Sequence, residues 1–263
     1  MTLTTPPDSA LRQLKQALEL VGLKEYKPAI VLLNELAQKN PTWHQPLLVM
    51  CELAVQPIDE ICTEEKKRWF KQLDQSTVSS TPVAIYLRGC SAEIDGDLEG
   101  ASELMEKCLK QEPTYKPASQ RLASIKLKQG DWKEAECLLR FHIKRSPRES
   151  HLLLNLAVSL MRQNKLDEAL ELAYQANRYA LQDQLPAVHV NLGSILQELG
   201  KRDIARTHYQ KALSLRPNHL NAHLNLGVIA LQDKDLIAAE KQFRQTLALD
   251  PDDPRAAVNL GGL

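Results

Sequence analysis

The stretch NLGSILQELGKRDIARTHYQKALSLRP, from Asn191 to Pro217, spells out one complete helical hairpin. Leu192 and Gly193 open an apolar stripe, and Gly200 stands where a first helix must end. Ala205, Tyr209 and Ala212 carry a second stripe, and Pro217 ends it. The stops have a physical basis: glycine takes the left-handed backbone of a helix C-terminus cheaply, while proline has no amide donor and clashes with the preceding turn. Two antiparallel helices crossing at a shallow angle approach most closely where neither carries bulk. Gly193 and Ala205 supply that place, and larger neighbours such as Tyr209 fill the space beside it.

The same pattern recurs along the chain. Pro113 and Pro147, then Pro217 and Pro251, are each about 34 residues apart, a period that signals stacked supersecondary units. Gly89, Ala123, Ala157, Gly193 and Gly227 keep a small residue at the eighth place of each unit. Ala101, Ala135, Ala169, Ala205 and Ala239 keep one at the twentieth. Four residues after each of these alanines stand Met105, Leu139, Ala173, Tyr209 and Phe243. Gly96, Gly130 and Gly200 end first helices, and Asp97, Asp131 and Asp203 lie near the starts of second helices, where a short acceptor caps free amides.

These places together resemble the tetratricopeptide repeat family, with units at 82–115, 116–149, 150–185, 186–219 and 220–253. The resemblance implies an all-α fold, a right-handed α-solenoid of helical hairpins. Unit 150–185 departs from the pattern: Leu181 stands where proline is expected and two residues are added near Gln182–Leu185, predicting a longer second helix or a looser turn. Residues 1–81 read as divergent helical hairpins, one at 10–43 with Ala17, Ala29 and Pro41 in register, and a degenerate one at 44–81 around Pro57. Residues 254–263 open a further first helix without its partner. With Phe243, Leu247, Val258, Leu260 and Leu263 beside one another, this end is expected to expose an apolar face suited to self-association, or to belong to a longer protein.

The totals narrow the function. A chain of 263 residues with 43% hydrophobic content can bury a substantial core, and Lys+Arg 33 balances Asp+Glu 33, so no global field draws it to nucleic acid or an anionic membrane. The charge is uneven locally: 116–149 holds nine Lys/Arg against four Asp/Glu, and 82–115 three against seven. The neighbouring units compensate, so nucleic-acid binding through Arg121, Lys126, Lys128, Arg140, Lys144 and Arg145 is a minor alternative. Cys51, Cys62, Cys90, Cys108 and Cys137 form no Cys-x-x-Cys pair, and their odd number and wide spacing suit a reducing, cytoplasmic setting. The apolar run Pro46–Ile58 is interrupted by Glu52 and is shorter than the roughly 20 residues that span a bilayer, so membrane insertion is not expected.

Catalytic signatures are missing from the sequence. There is no phosphate loop, nucleophile elbow, His-Glu-x-x-His or dinucleotide fingerprint, and the expectation is a non-enzyme without cofactor or metal. His219 and His223 have the i,i+4 spacing of metal ligands, but no third ligand accompanies them, and packing is the expected role of both and of His189. Cys62, Cys90 and Cys108 read as buried inert thiols.

One polar position repeats with the helices. Asn155, Asn191, Asn225 and Asn259 each precede the Leu-Gly or Leu-Ala element. In the family that place faces the concave surface, and the series resembles the asparagine ladder of the O-GlcNAc transferase-like superhelix. A ladder of carboxamides pairs with the backbone of an extended peptide without requiring a side-chain sequence. His151, Ser194, Gln197, Asn221, Gln232 and Arg255 are expected to add polar contacts around it, over an apolar floor of Leu154, Val190, Leu224 and Val228. The function expected is a protein-protein interaction scaffold that binds a peptide or protein segment in the groove. The alternative is a substrate-recruiting module of a glycosyltransferase- or sulfotransferase-type enzyme whose catalytic domain lies outside this chain.

Overall fold

A computed structural model describes residues 6–263. They form helices joined by short turns, with no strand among the described residues. The chain divides into two compact units, one up to Ile125 and the other Lys126–Leu263. The first holds α1 (Asp8–Gly22), α2 (Tyr26–Lys39), α3 (Gln45–Ala54), α4 (Thr63–Gln75), α5 (Pro82–Ile94) and α6 (Leu98–Gln111). The division falls within α7 (Lys116–Gln129). The second holds α8 (Trp132–Arg145), α9 (Ser150–Arg162), α10 (Leu166–Tyr179), α11 (Leu185–Glu198), α12 (Arg202–Leu215), α13 (Leu220–Gln232), α14 (Leu236–Leu249) and α15 (Pro254–Gly261). In each unit consecutive helices pack as antiparallel hairpins, with the tightest pairs α5 on α6, α9 on α10, α11 on α12 and α13 on α14.

The small-residue places lie at the helix crossings. Ala101, Ala135, Ala169, Ala205 and Ala239 are each wholly removed from solvent, as are Met105, Ala173, Tyr209 and Phe243. The residue sizes across a crossing are matched. A Cβ placed on Gly193 would lie 2.5 Å from Cε1 of Tyr209, one on Gly227 would lie 2.6 Å from Cε1 of Phe243, and one on Gly89 would lie 2.7 Å from Cε of Met105. Each glycine is thus the seat of a large side chain sixteen residues on. In the hairpin of α9 and α10 both corresponding places are alanine, Ala157 and Ala173, and both are fully buried.

The turns follow one geometry with different residues. Gly96, Gly130 and Gly200 take positive φ as the sequence predicts, while Lys24, Asn164 and Lys234 adopt it at the corresponding turns of other hairpins, near 60°. The capping expectation is corrected in part. Asp97 accepts the Gly100 amide at 2.9 Å, but Asp131 makes no cap bond with its side chain and Asp203 is already inside α12. Asp235 does the capping in the next hairpin, taking the Ala238 amide at 3.0 Å. The departure in unit 150–185 resolves as the looser turn: α10 keeps the 14 residues of its neighbours, and Gln184 Oε1 closes the added turn by accepting the Leu181 amide at 3.1 Å.

Polar ties fasten one hairpin to the next within the second unit. Buried Ser159 in α9 donates to the Trp132 carbonyl of α8 at 2.7 Å, while Ser150 closes its own hairpin by donating to the Ala176 carbonyl of α10 at 3.0 Å. Glu136 receives Lys165, Arg140 and Gln163 together at 2.8–2.9 Å. Burial pushes its pKa up, but these donors outweigh that and hold it at about 2. At the far end Phe243 is not part of an exposed face as the sequence suggests; it clusters with Leu224, Ala239 and Ala256, while Val258 remains 75% exposed.

The size matching predicts a coupled pair. Gly193→Ala should cost roughly 1–3 kcal/mol by overpacking against Tyr209. Combining it with Tyr209→Leu should cost less than the sum of the two single changes, a coupling of about 1 kcal/mol or more in urea unfolding. Simple additivity would mean that the ring and the glycine do not confine each other.

Candidate peptide-binding face

The first helices of the second unit are neighbours in series, α9 beside α11, α11 beside α13 and α13 beside α15. Asn155, Asn191, Asn225 and Asn259 stand at the same place on each, directly before an inward residue of the crossing, and all four are half-buried. Their hydrogen bonds differ. Asn191 donates through Nδ2 to the Ala187 carbonyl at 2.9 Å, and Asn259 to the Arg255 carbonyl at 2.7 Å. A carbonyl partner obliges the NH2 group to face it, so the carboxamide oxygen of each points away from its own helix bond. Asn155 makes no hydrogen bond with its side chain among the described residues. Asn225 donates to Ser194 Oγ at 3.4 Å, bridging α13 to α11.

Ser194 and Gln197 belong to an internal network that the sequence reading missed. The Tyr209 hydroxyl lies 3.0 Å from Gln197 Oε1 and 3.3 Å from Ser194 Oγ, and Ser194 in turn donates to the Val190 carbonyl at 3.0 Å. Burial pushes the Tyr209 phenol up to about 12, so it stays a neutral donor. A buried tyrosine needs a partner for its hydroxyl, and Ser194 and Gln197, three residues apart and so on one face of α11, are the signal that could have revealed it.

The outlying residues are not gathered into one site. Asn221 Oδ1 accepts from Arg255 at 3.3 Å, and Arg255 also pairs with Asp253 at 2.6 Å. Exposed His151 lies 3.5 Å from Glu149 in the first turn of α9. Gln232 is the last residue of α13, whereas Asn221 is in its first turn; at 1.5 Å per residue these ends lie roughly 16 Å apart. Of the floor residues, Val190 and Leu224 are buried, and Leu154 and Val228 are half-buried.

His189, His208 and His223 are packing groups with defined partners, whereas the buried Nδ1 of His219 has none among the described residues. His223 Nδ1 lies 2.8 Å from Gln242 Oε1, and its Nε2 lies 2.8 Å from the Pro217 carbonyl, so the ring is committed on both sides. No cluster of three or more metal-binding side chains occurs among the described residues. One hairpin earlier, the same two places hold His189 and His208, their Nδ1 atoms 3.1 Å apart. Burial, with the nearby Lys211 charge, lowers both pKa values, that of His189 to about 4.

The cysteines are all free thiols. Cys51, Cys90 and Cys108 are buried, and burial raises their pKa values, to about 12 for Cys51 and about 11 for Cys108. Cys62 corrects the sequence reading: it is exposed and stands at the N-cap of α4. Several of the basic residues considered for nucleic acid are neutralised. Arg121 pairs with Glu93, Lys126 with Glu134 and Arg140 with Glu136 and Glu168, while Arg145 lies over the Phe141 ring.

The histidine pair predicts a pH dependence. Both imidazoles bind protons more weakly folded than unfolded, so stability is full above the ordinary value of 6.5 and falls as pH drops from there towards about 4. His208→Gln recreates the His–Gln pair of the next hairpin and should flatten this fall, seen as a smaller loss of urea midpoint between pH 7 and pH 5. An identical loss in both proteins would clear the pair of any role.

Comparison with known proteins agrees with this architecture. Tetratricopeptide repeat models match residues 121–181, 190–254 and 94–140, together more than half of the chain. No curated protein matches the sequence. Among solved structures, the thermophilic tetratricopeptide protein TTC0263 of Thermus thermophilus superposes with a TM-score of 0.61 at 22% identity, covering 69% of this chain and 98% of that one. PilW, a type IV pilus biogenesis factor, gives 0.70 at 16% identity over 84% of this chain and 100% of its own. The Cut9–Hcn1 structure of the APC/C gives 0.70 at 17% identity over 96% of this chain and 52% of that one. At these identities the likeness is one of fold, and with the repeat matches it makes the chain a member of the tetratricopeptide repeat family.

Proposed function

We propose that this protein is a non-catalytic interaction scaffold that holds an extended peptide segment of a partner along the first helices of its second unit. Repeats at 82–115, 116–149, 150–185, 186–219 and 220–253, after divergent hairpins at 10–43 and 44–81, supply the frame. The observation that carries the reading is the placement of Asn155, Asn191, Asn225 and Asn259 on four helices that neighbour one another in series. Asn191 and Asn259 each spend one N–H on their own helix and keep the oxygen for an incoming amide. Asn155 keeps donor and acceptor, and the face beside it is neutral, which suits peptide backbone better than a charged ligand. Asn225 serves a different end, since it supports the Tyr209 network.

No helix among the described residues is long and apolar enough to cross a membrane. A cytoplasmic setting is part of the proposal, consistent with five unpaired thiols. The test is affinity purification of a partner followed by calorimetry with it. Asn155→Ala with Asn191→Ala should weaken binding roughly 30-fold, two hydrogen bonds of about 1 kcal/mol each, with circular dichroism unchanged. Unaltered affinity in the double variant would show that the ladder is structural.

A further inference from the structure

We propose a second binding site in the first unit, a groove between the second helices α2 and α4 that takes a short peptide segment carrying an acidic side chain next to an aliphatic one. The groove encloses about 790 Å³ and is closed at one end by the 41–44 turn. Its apolar wall is half-buried Trp43 with Leu47 and Pro41, and its rim carries the carboxamides of Asn34, Gln38 and Gln72. A concave space of this size with an apolar wall and a few convergent polar groups has the make-up of a ligand site.

The charge pattern selects the ligand. Arg68 lines the groove, is solvent-exposed, and forms no ion pair among the described residues; its one bond is to Asn34 Oδ1 at 3.4 Å. Asn34 is itself fixed by donating to the Ile30 carbonyl at 3.1 Å, so it holds the guanidinium at the groove mouth. No carboxylate lines this groove. A groove of similar position in the second unit, between α12 and α14, shows the opposite arrangement: there Arg206 is neutralised by Asp233, and Asp235 also lines the space. The first groove therefore has an uncompensated cation where the second is complete within itself. A carboxylate on Arg68 would form a charge-assisted bond, the aliphatic neighbour would cover the Trp43 indole, and the glutamines would pair with the peptide amides.

This site shares no residue with the asparagine face, so each stands or falls alone. The experiment titrates the full chain with acetyl-leucyl-glutamyl-leucinamide and with its glutaminyl analogue, reading heat and tryptophan fluorescence. The expected result is saturable binding of the glutamyl peptide, about ten-fold weaker binding of the glutaminyl one, and loss of that preference in Arg68→Gln. The fluorescence change should vanish in Trp43→Phe while Arg68→Gln and Trp43→Phe keep wild-type helicity. Equal affinity for the two peptides, no saturation up to about 5 mM, a preference retained in Arg68→Gln, or a fluorescence change that survives in Trp43→Phe would each overturn the proposal. So would binding of octanoate at this site without the peptide, which would make it a small-acid pocket.

Discussion

The structure depends on the closest approach of two helices in a hairpin, where a residue without bulk on one meets a large side chain from the other. Tyr209 over Gly193 and Phe243 over Gly227 are the clearest cases, with no room left for even one carbon. This contact sets the distance and the register between the two helices, and register in turn decides which residues face outward. An asparagine next to such a crossing therefore has its direction determined by packing that lies behind it. The asparagine series and the core are two sides of one constraint.

That constraint was readable in the sequence because it is written in absences of volume, which tolerate few substitutes. The small places and the glycine stops could be placed from residue type alone, whereas the added residues near Leu181 were compatible with either a longer helix or a looser turn. What escaped was bonding that depends on which side chains meet across helices. Tyr209 reads as apolar filler, yet its hydroxyl draws Ser194 and Gln197, both nominally groove residues, into an internal network. Asp131 and Asp235 stand at N-caps of similar backbone geometry, yet only the Asp235 carboxylate turns onto a backbone amide, a side-chain choice that residue type does not specify. The Trp43 groove has no repeat signature at all, since it lies in the hairpins where the pattern is weakest.

A repeated fold with unequal polar decoration explains how one architecture serves several ends. The place that is His223–Gln242 in one hairpin is His189–His208 in the preceding one, and the change puts there a pair that resists protonation. The turn that is glycine in three hairpins is lysine or asparagine in three others, each held at positive φ at a cost of about 1 kcal/mol or more. Local cost is accepted where neighbouring hairpins supply enough packing to hold the turn.

The uneven burial of the thiols has a practical outcome. Cys51, Cys90 and Cys108 are sheltered, whereas Cys62 in the first unit and Cys137 in the second are open to solvent. A maleimide dye or spin label would therefore attach to one point on each unit of the unaltered chain. The native protein carries its own pair of attachment points for a ruler, by which the spacing of its two halves could be followed in solution.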